Sequence, residues 1–209
     1  MTSTTPAVIH VVDDDPSFRK AVSRMLETSG YQVVAYDSGR QYLDSVPQTE
    51  PSCILIDLKM AKLGGLELQQ RLSVRGNMSP IIFLTGHGDI PTTVQALKGG
   101  ADDFLTKPIS KAALVDAVER ALAHFAEKLG ERNKAESMKK LISRLTPREL
   151  EVFTLVIRGK INKQIAHELG ISERTVKAHR HEIMQKLEVV SLAEAVSIAE
   201  RLGMLREPG

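Results

Sequence analysis

The stretch SCILIDLKM, residues 52–60, places an acidic residue directly after an apolar run. Its run CILI, residues 53–56, is typical of a strand that is buried on both faces, as strands of parallel sheets are. Asp57 follows at once, and a carboxylate at the end of such a strand needs an explanation. In open parallel sheets, ligands bind beyond the carboxyl ends of the strands. We therefore expect Asp57 to lie in a functional site.

The surrounding sequence repeats a pattern of short apolar strands and amphipathic helices. A helical pattern follows each predicted strand, and the predicted strands cover residues 7–12, 31–36, 53–56, 80–85 and 102–106. Repeated alternation of strand and helix predicts a parallel sheet with helices on both faces. We therefore predict an α/β domain at residues 6–125, a doubly wound (βα)5 parallel sheet.

The rest of the chain contains a polar segment and an all-helical region. Residues 126–143 carry charges of both signs and no strand pattern, so we expect a linker that is helical in part, with Gly130 as its weak point. At residues 144–209 we predict an all-α domain. Its four amphipathic helices are expected near residues 147–157, 161–168, 172–187 and 191–202.

The composition is that of an ordinary globular protein whose two parts differ in charge. Of 209 residues, 42% are hydrophobic and 26% are charged, which suffices for a core in each of two domains. Residues 1–125 hold 12 Lys and Arg against 14 Asp and Glu, whereas residues 158–186 hold 7 against 3. An acidic first part and a basic second part suggest two separate tasks.

The sequence carries no signal for secretion or for a membrane. The start MTSTTPAVIH lacks the features of a signal peptide, and no apolar run approaches the roughly 18–20 residues of a membrane span. Cys53 is the single cysteine, so an intramolecular disulfide is excluded, and we expect its thiol in the core. We therefore expect a cytoplasmic protein without a membrane partner.

Polar residues follow four of the predicted strands and should meet at one edge of the sheet. They are Asp13 and Asp14 after the first strand, Asp57 after the third, Thr85 after the fourth and Lys107 after the fifth. Three close carboxylates repel each other unless a cation lies among them, and oxygen ligands suit Mg²⁺. Lys107 and Thr85 are then left to bind an anion. The set predicts phosphoryl transfer to Asp57.

Other interpretations of this edge stay open at the level of single residues. An Asp after a strand is often a turn or cap residue, although the joint placement of these residues favours a site. A Mg²⁺-dependent phosphohydrolase that forms an aspartyl-phosphate is the alternative function. The haloacid-dehalogenase type needs a second Asp two residues after the nucleophile, where this chain has Lys59.

The basic region predicts a helix-turn-helix. In NKQIAHELGISERTVKAHRHEIMQKL, residues 162–187, two helical patterns meet at Gly170, and Ser172 stands where it would cap the second helix. The apolar stripe of that helix leaves a basic face outward. Such a pair of helices is typical of DNA-binding motifs, whose second helix enters the major groove. A merely solvated basic face, in an adaptor that does not contact DNA, is the alternative.

The first part of the chain resembles the receiver domain of response regulators. The resemblance lies in VVDDDPS, LIDLKM, LTGHGD and DFLTKP, which begin at residues 11, 55, 84 and 103. The resemblance implies that Asp57 is the phospho-acceptor and that Thr85 and Lys107 bind the phosphoryl group. It implies that Mg²⁺ is held by Asp13, Asp14, Asp57 and the backbone carbonyl of Lys59. It also implies that Phe104 is the switch aromatic. One departure is Ala61, where the family commonly has proline after the methionine.

The second part is similar to the LuxR-type DNA-binding domain from residue 145 onward. The resemblance implies base contacts by Lys177, Ala178 and His181 and phosphate contacts by Thr175, His179, Lys186 and Lys163, with Arg174 on the same outward face. It also implies that the last helix, near residues 191–202, makes dimer contacts.

Together the two parts resemble the NarL/FixJ family of response regulators, and the segment GHGDIP with His87 is similar to the FixJ-like subgroup. The family implies a sensor histidine kinase as phosphodonor, a homodimer formed on phosphorylation through residues 90–124, and promoter double-stranded DNA as the target. RNA polymerase is a further expected partner. The chain is then not an enzyme, apart from its own phosphotransfer and dephosphorylation.

Overall fold

A computed structural model describes residues 7–45, 52–86 and 90–205. The chain divides into two compact units, Met1–Lys128 and Leu129–Gly209. The first unit contains β1 (Val8–Val12), α1 (Pro16–Glu27), β2 (Gln32–Tyr36), α2 (Gly39–Ser45), β3 (Ser52–Asp57), α3 (Gly65–Val74), β4 (Ile81–Thr85), α4 (Ile90–Lys98) and β5 (Asp103–Thr106). Helix α5 (Lys111–Ile142) begins in the first unit and ends in the second, which also contains α6 (Pro147–Ile157), α7 (Asn162–Leu169), α8 (Glu173–Lys186) and α9 (Leu192–Arg201).

The five strands form one parallel sheet in the order β2-β1-β3-β4-β5. Alternate strand residues face opposite sides, so that Leu55 and Leu84 pack in one core cluster with α1 and α5, whereas Ile56 and Phe83 pack in another with α2 and α3. This arrangement confirms the predicted doubly wound fold. The strand order reverses between β1 and β3, and ligand sites of such sheets lie at this point.

The segment between the two domains differs from the expectation of a partly helical linker. Helix α5 is continuous over 32 residues and passes through Gly130. A glycine inside a helix costs only about 1 kcal/mol relative to alanine, and the neighbouring Ala, Glu, Lys and Leu residues are good helix formers.

In the described part of the chain, no helix is both long and apolar enough to cross a membrane. The domain boundaries stay predictions.

Local signals define the four helices that follow. Thr146 and Glu149 form a capping box at the start of α6, and Ser172 caps α8 by accepting the backbone N–H of Thr175. Gly170 ends α7 with φ of +64°, a left-handed conformation that glycine adopts without steric cost. The apolar residues of α6, α7, α8 and α9 form one core cluster, which confirms the predicted all-α domain.

Candidate functional site

The carboxyl ends of β1 and β3 bring two acidic side chains together around one lysine. Asp13 follows β1, Asp57 ends β3, and the two strands are neighbours in the sheet. Lys107, which follows β5, donates from Nζ to Asp13 Oδ2 at 2.8 Å and to Asp57 Oδ1 at 2.6 Å. Both carboxylates are buried, and the lysine side chain is only 20% exposed. The sequence therefore predicted these three residues of the site correctly as neighbours.

Burial and charge compete at this cluster. Burial raises the pKa of Asp57, the charge of Asp13 adds to the rise, and the hydrogen bond from Lys107 only partly opposes it. Burial alone would lower the pKa of Lys107, but the hydrogen bonds and charges of the two carboxylates outweigh it and raise that pKa. Two buried carboxylates thus share one ammonium ion. The site has an excess of negative charge that a further cation would neutralise.

Backbone amides hold the loop after β3. Lys59 N–H donates to Asp57 Oδ2 at 3.0 Å, and Ala61 N–H donates to Asp14 Oδ2 at 2.8 Å. A Cβ atom added to Gly65 would lie 2.6 Å from the backbone oxygen of Asp57, so only glycine fits there without a shift of the backbone. These contacts fix β3 and the loop that follows it relative to each other.

The donor set of this edge fits a hard divalent cation. Asp13, Asp14 and Asp57 offer only oxygen, the ligand type that Mg²⁺ prefers, and the two buried carboxylates carry more charge than Lys107 balances. In the described residues, no three acidic, histidine or cysteine side chains converge as a ready-made metal cluster. The carboxylate of Asp14 is exposed and lies against the loop, whereas the other two face Lys107.

The remaining predicted residues of this edge lie at different depths. Thr85 is buried at the end of β4, and its backbone oxygen accepts the N–H of Lys107 at 2.7 Å. Phe104 lies on β5 with 37% of its surface exposed. His87 lies outside the described residues.

One residue of the site was not predicted from the sequence. The ammonium of Lys107 lies 3.8 Å from the centroid of the Phe18 ring, on the first turn of α1. In the sequence, Phe18 fits the apolar pattern of α1, and nothing in that pattern distinguishes a core phenylalanine from one that faces a lysine 89 positions away. The position five residues after Asp13 is a signal that could have found it, since α1 begins beside the site.

The helix-turn-helix presents the predicted basic face. The exposed predicted residues are Lys163 on α7 and Arg174, Thr175, Lys177, Ala178 and His181 on α8, and His179 is partly exposed. Val176, Ile183 and Leu187 lie in the core, as the stripe predicted. The outward face of α8 therefore carries cationic side chains around the small residue Ala178.

Lys186 differs from the other predicted residues because its ammonium is paired within the domain, and its expected phosphate contact stays a prediction. Its Nζ donates to both carboxylate oxygens of Glu149, at 2.6 and 2.7 Å. The hydrogen bond from Lys186 lowers the pKa of Glu149, even though burial opposes this shift. The helical pattern placed Lys186 outward, but its long side chain reaches back to a buried acid. The ammonium is thus engaged within the domain.

Comparisons with known proteins agree with both parts. Residues 9–119 match the family described as response regulator receiver domain, and residues 143–199 match that described as bacterial regulatory proteins, luxR family. Nodulation protein W of Bradyrhizobium diazoefficiens is 41% identical over 202 residues, which are 97% of this chain and 89% of that protein. Transcriptional regulatory protein FixJ of Azorhizobium caulinodans is 39% identical over 196 residues, which are 94% and 93% of the two chains.

Solved structures show the same likeness. The response regulator StyR matches with a TM-score of 0.85 and 44% identity over 94% of this chain and all of that one. Full-length FixJ from B. japonicum matches with a TM-score of 0.60 and 36% identity over 97% of this chain and all of that one.

A receiver domain joined to a LuxR-type helix-turn-helix defines a response regulator. The chain belongs to the NarL/FixJ family of two-component response regulators. It is a phosphorylation-dependent regulator of transcription rather than a classical enzyme, and its two domains imply a sensor kinase and DNA as partners.

Proposed function

We propose that Asp57 accepts a phosphoryl group from a phosphohistidine of a sensor kinase and that the phosphorylated protein pairs on promoter DNA. The observation that carries the proposal is the shared lysine, because Lys107 contacts both Asp57 and Asp13 within 2.8 Å. A lysine at this position stabilises the anionic oxygens of a transferring phosphoryl group. In the reaction, a carboxylate oxygen of Asp57 bonds to phosphorus, the phosphorus–nitrogen bond of the donor breaks, and the imidazole of the donor keeps the electron pair and takes up a proton.

Asp13, Asp14, Asp57 and the backbone carbonyl of Lys59 would hold the divalent cation. When bound, Mg²⁺ would neutralise the excess negative charge of the carboxylates and the developing charge on the phosphoryl oxygens. Receiver domains in general bind Mg²⁺ at this acidic edge. The residues of the chain do the rest: Lys59 N–H holds one oxygen of Asp57, and Lys107 holds the other.

Thr85 and Phe104 would carry the change to the surface. Thr85 is buried at the end of β4, and Phe104 is partly exposed on the next strand, where its residue pairs with Phe83. A new contact between the phosphoryl group and the Thr85 hydroxyl would shift residues of β4 and of the neighbouring β5. We propose that two receivers then pair through residues 90–124. Hydrolysis of the acyl phosphate, the only enzymatic step we assign to the chain, would return it to the resting state.

The effector unit would then bind a two-fold promoter site with α8 in the major groove. Lys177, Ala178 and His181 would face the bases, and Lys163, Arg174, Thr175 and His179 would lie nearer the phosphates. Contact with RNA polymerase would follow on the promoter. Because promoter DNA lies in the bacterial cytoplasm, we place the protein there.

The test of the acceptor is Asp57→Asn. Phosphorylation by a small-molecule phosphodonor with Mg²⁺ should add one phosphoryl group to the native chain, seen by intact-protein mass, and should be lost in the variant. Light scattering should show the native chain passing from monomer to dimer with beryllofluoride, a phosphoryl mimic. If the variant still gains the mass of a phosphoryl group, Asp57 is not the phospho-acceptor.

The test of the DNA face is Lys177→Ala, with Lys139→Ala as a matched control. Lys139 is an exposed lysine of the same unit that lies on α5 instead of α8. Loss of a base contact should weaken specific binding by about 1–3 kcal/mol, whereas the control should leave it nearly unchanged. Equal losses in both variants would show that only overall charge matters, and a native affinity that ignores salt would argue against phosphate contacts altogether.

A further inference from the structure

Phe18 contacts the lysine of the acceptor site through the face of its ring. The Lys107 ammonium lies 3.8 Å from the ring centroid, well within the roughly 6 Å range of cation–π attraction. The same ammonium donates to Asp13 and Asp57. Phe18 thus adds a third contact to the Lys107 ammonium.

The position of the ring is fixed by the start of α1. Asp15 Oδ1 accepts the backbone N–H of Ser17 at 2.8 Å and that of Phe18 at 3.2 Å. One residue further on, a guanidinium nitrogen of Arg19 donates to the backbone oxygen of Asp13 at 2.5 Å. Phe18 also packs against the core cluster that contains α1 and α5. The ring is therefore held on the helix that begins beside the site.

A lysine side chain needs such support. Its ammonium ends a flexible four-carbon stem, and it keeps one orientation only when contacts offset the lost rotamer freedom. Of its three N–H donors, two are used by the carboxylates. The ring attracts the cation electrostatically and does not accept a conventional hydrogen bond.

We propose that Phe18 is a positioning residue for phosphoryl binding, which holds the Lys107 ammonium beside Asp57 through the face of its ring. This proposal rests on the proposed function of Asp57. It assigns Phe18 no contact with the phosphoryl group. Its effect passes through Lys107, so a side chain with an aromatic face should serve and an aliphatic one of similar size should not.

The test compares Phe18→Leu with Phe18→Tyr in the full-length chain. Leucine keeps apolar bulk and removes the ring, whereas tyrosine keeps the ring. The affinity for beryllofluoride is measured by fluorine NMR at fixed Mg²⁺, and thermal unfolding of each variant is recorded beside it. We expect the leucine variant to bind about fivefold more weakly and the tyrosine variant to stay within twofold of the native chain.

Two results would overturn the proposal. An unchanged affinity in Phe18→Leu would show that the ring has no influence on the site, and equal weakening in both variants would show that packing alone matters. If the leucine variant does not fold, Phe18→Met provides the same comparison with an unbranched apolar side chain. The native chain and Asp57→Asn are measured in parallel. Failure of the native chain to bind the mimic would count against the function proposed for Asp57, whereas the variants of a binding chain test Phe18 alone.

Discussion

The ion pair between Lys186 and Glu149 should be a main stabilising contact of the second unit. It joins α8 to α6, and both carboxylate oxygens are within 2.7 Å of the ammonium. The Glu149 side chain is 7% exposed and that of Lys186 is 31% exposed. Lys186→Met removes the ammonium, keeps the apolar stem, and leaves a buried carboxylate without its cation.

The size of the loss follows from this burial. Removing one partner of a fully buried pair costs about 3–5 kcal/mol, mostly because a charge stays buried and unpaired. Water reaches the lysine end of this pair, so we expect about 2–3 kcal/mol. Lys160→Met is the matched control. The pair of Lys160 with Glu168 lies in the same unit, but both side chains are at least 40% exposed, and such pairs contribute at most about 1 kcal/mol.

Hydrogen exchange of the full-length chain, read by mass spectrometry, measures the loss in each unit separately. Core amides of α6 and α8 should lose protection by roughly 30- to 150-fold in Lys186→Met, the equivalent of about 2–3 kcal/mol, while peptides from β3 serve as an internal reference. Unchanged protection in α6, or a loss as large in the Lys160 variant, would refute the reasoning.

The pH dependence gives the same pair a second test. The folded pKa of Glu149 is lowered, so the stability contributed by the pair is fully present above the unfolded value of about 4.5 and is lost as the pH falls through the folded pKa. The gap in protection between the native chain and Lys186→Met should therefore be widest near neutrality and should narrow as the pH falls below about 4.5 toward the lowered folded pKa of Glu149. A gap that stays constant down to pH 3 would mean that lost packing, not charge, causes the defect.

Three further predictions concern the receiver unit. Gly65→Ala should destabilise this unit and impair phosphorylation, because the new methyl group would lie 2.6 Å from the backbone oxygen of Asp57. Thermal unfolding and phosphorylation assays measure both effects, and a variant with native stability and phosphorylation would contradict this prediction. Ala61→Pro removes the N–H that donates to Asp14 but installs the residue that the family commonly has, so Mg²⁺ affinity by calorimetry should stay within about threefold of the native chain, and a loss of about tenfold would contradict this. Burial raises the pKa of the Cys53 thiol, so it should react with a thiol reagent only after unfolding, and rapid labelling of the native chain would disprove this.

Strand ends could be predicted from the sequence because periodicity and breakers define them. Once the sheet is known to be parallel, every residue after a strand must lie at one edge, so Asp13, Asp57 and Lys107 were predicted together before any distance was known. The capped start of α6 and the left-handed Gly170 followed from local signals in the same way. Local chemistry and topology therefore account for most of the fold and for the centre of the site.

Local signals and sheet topology could not predict the contacts made by the ends of long side chains. Lys186 lies 37 positions from Glu149, and its place on the helix gave it an outward direction, yet its stem bends back to a buried acid. Phe18 satisfied the apolar pattern of its helix and so appeared to be an ordinary core residue. Periodicity predicts which face of a helix or strand a residue lies on. It does not predict which distant group the end of a flexible side chain contacts.

The two buried lysine pairs show what separates a structural ion pair from a functional one. Lys186 contacts both oxygens of a single carboxylate, so the two charges balance and the pair stabilises the domain. Lys107 is shared by Asp13 and Asp57, so one negative charge is left over in a place that water reaches poorly. Burial makes that residual charge costly in the resting protein, and for the same reason it raises the pKa of Asp57. The same residual charge favours binding of a divalent cation together with a phosphoryl group, because the two together balance it. The pair of Lys186 and Glu149 is already neutral and has no such residual charge.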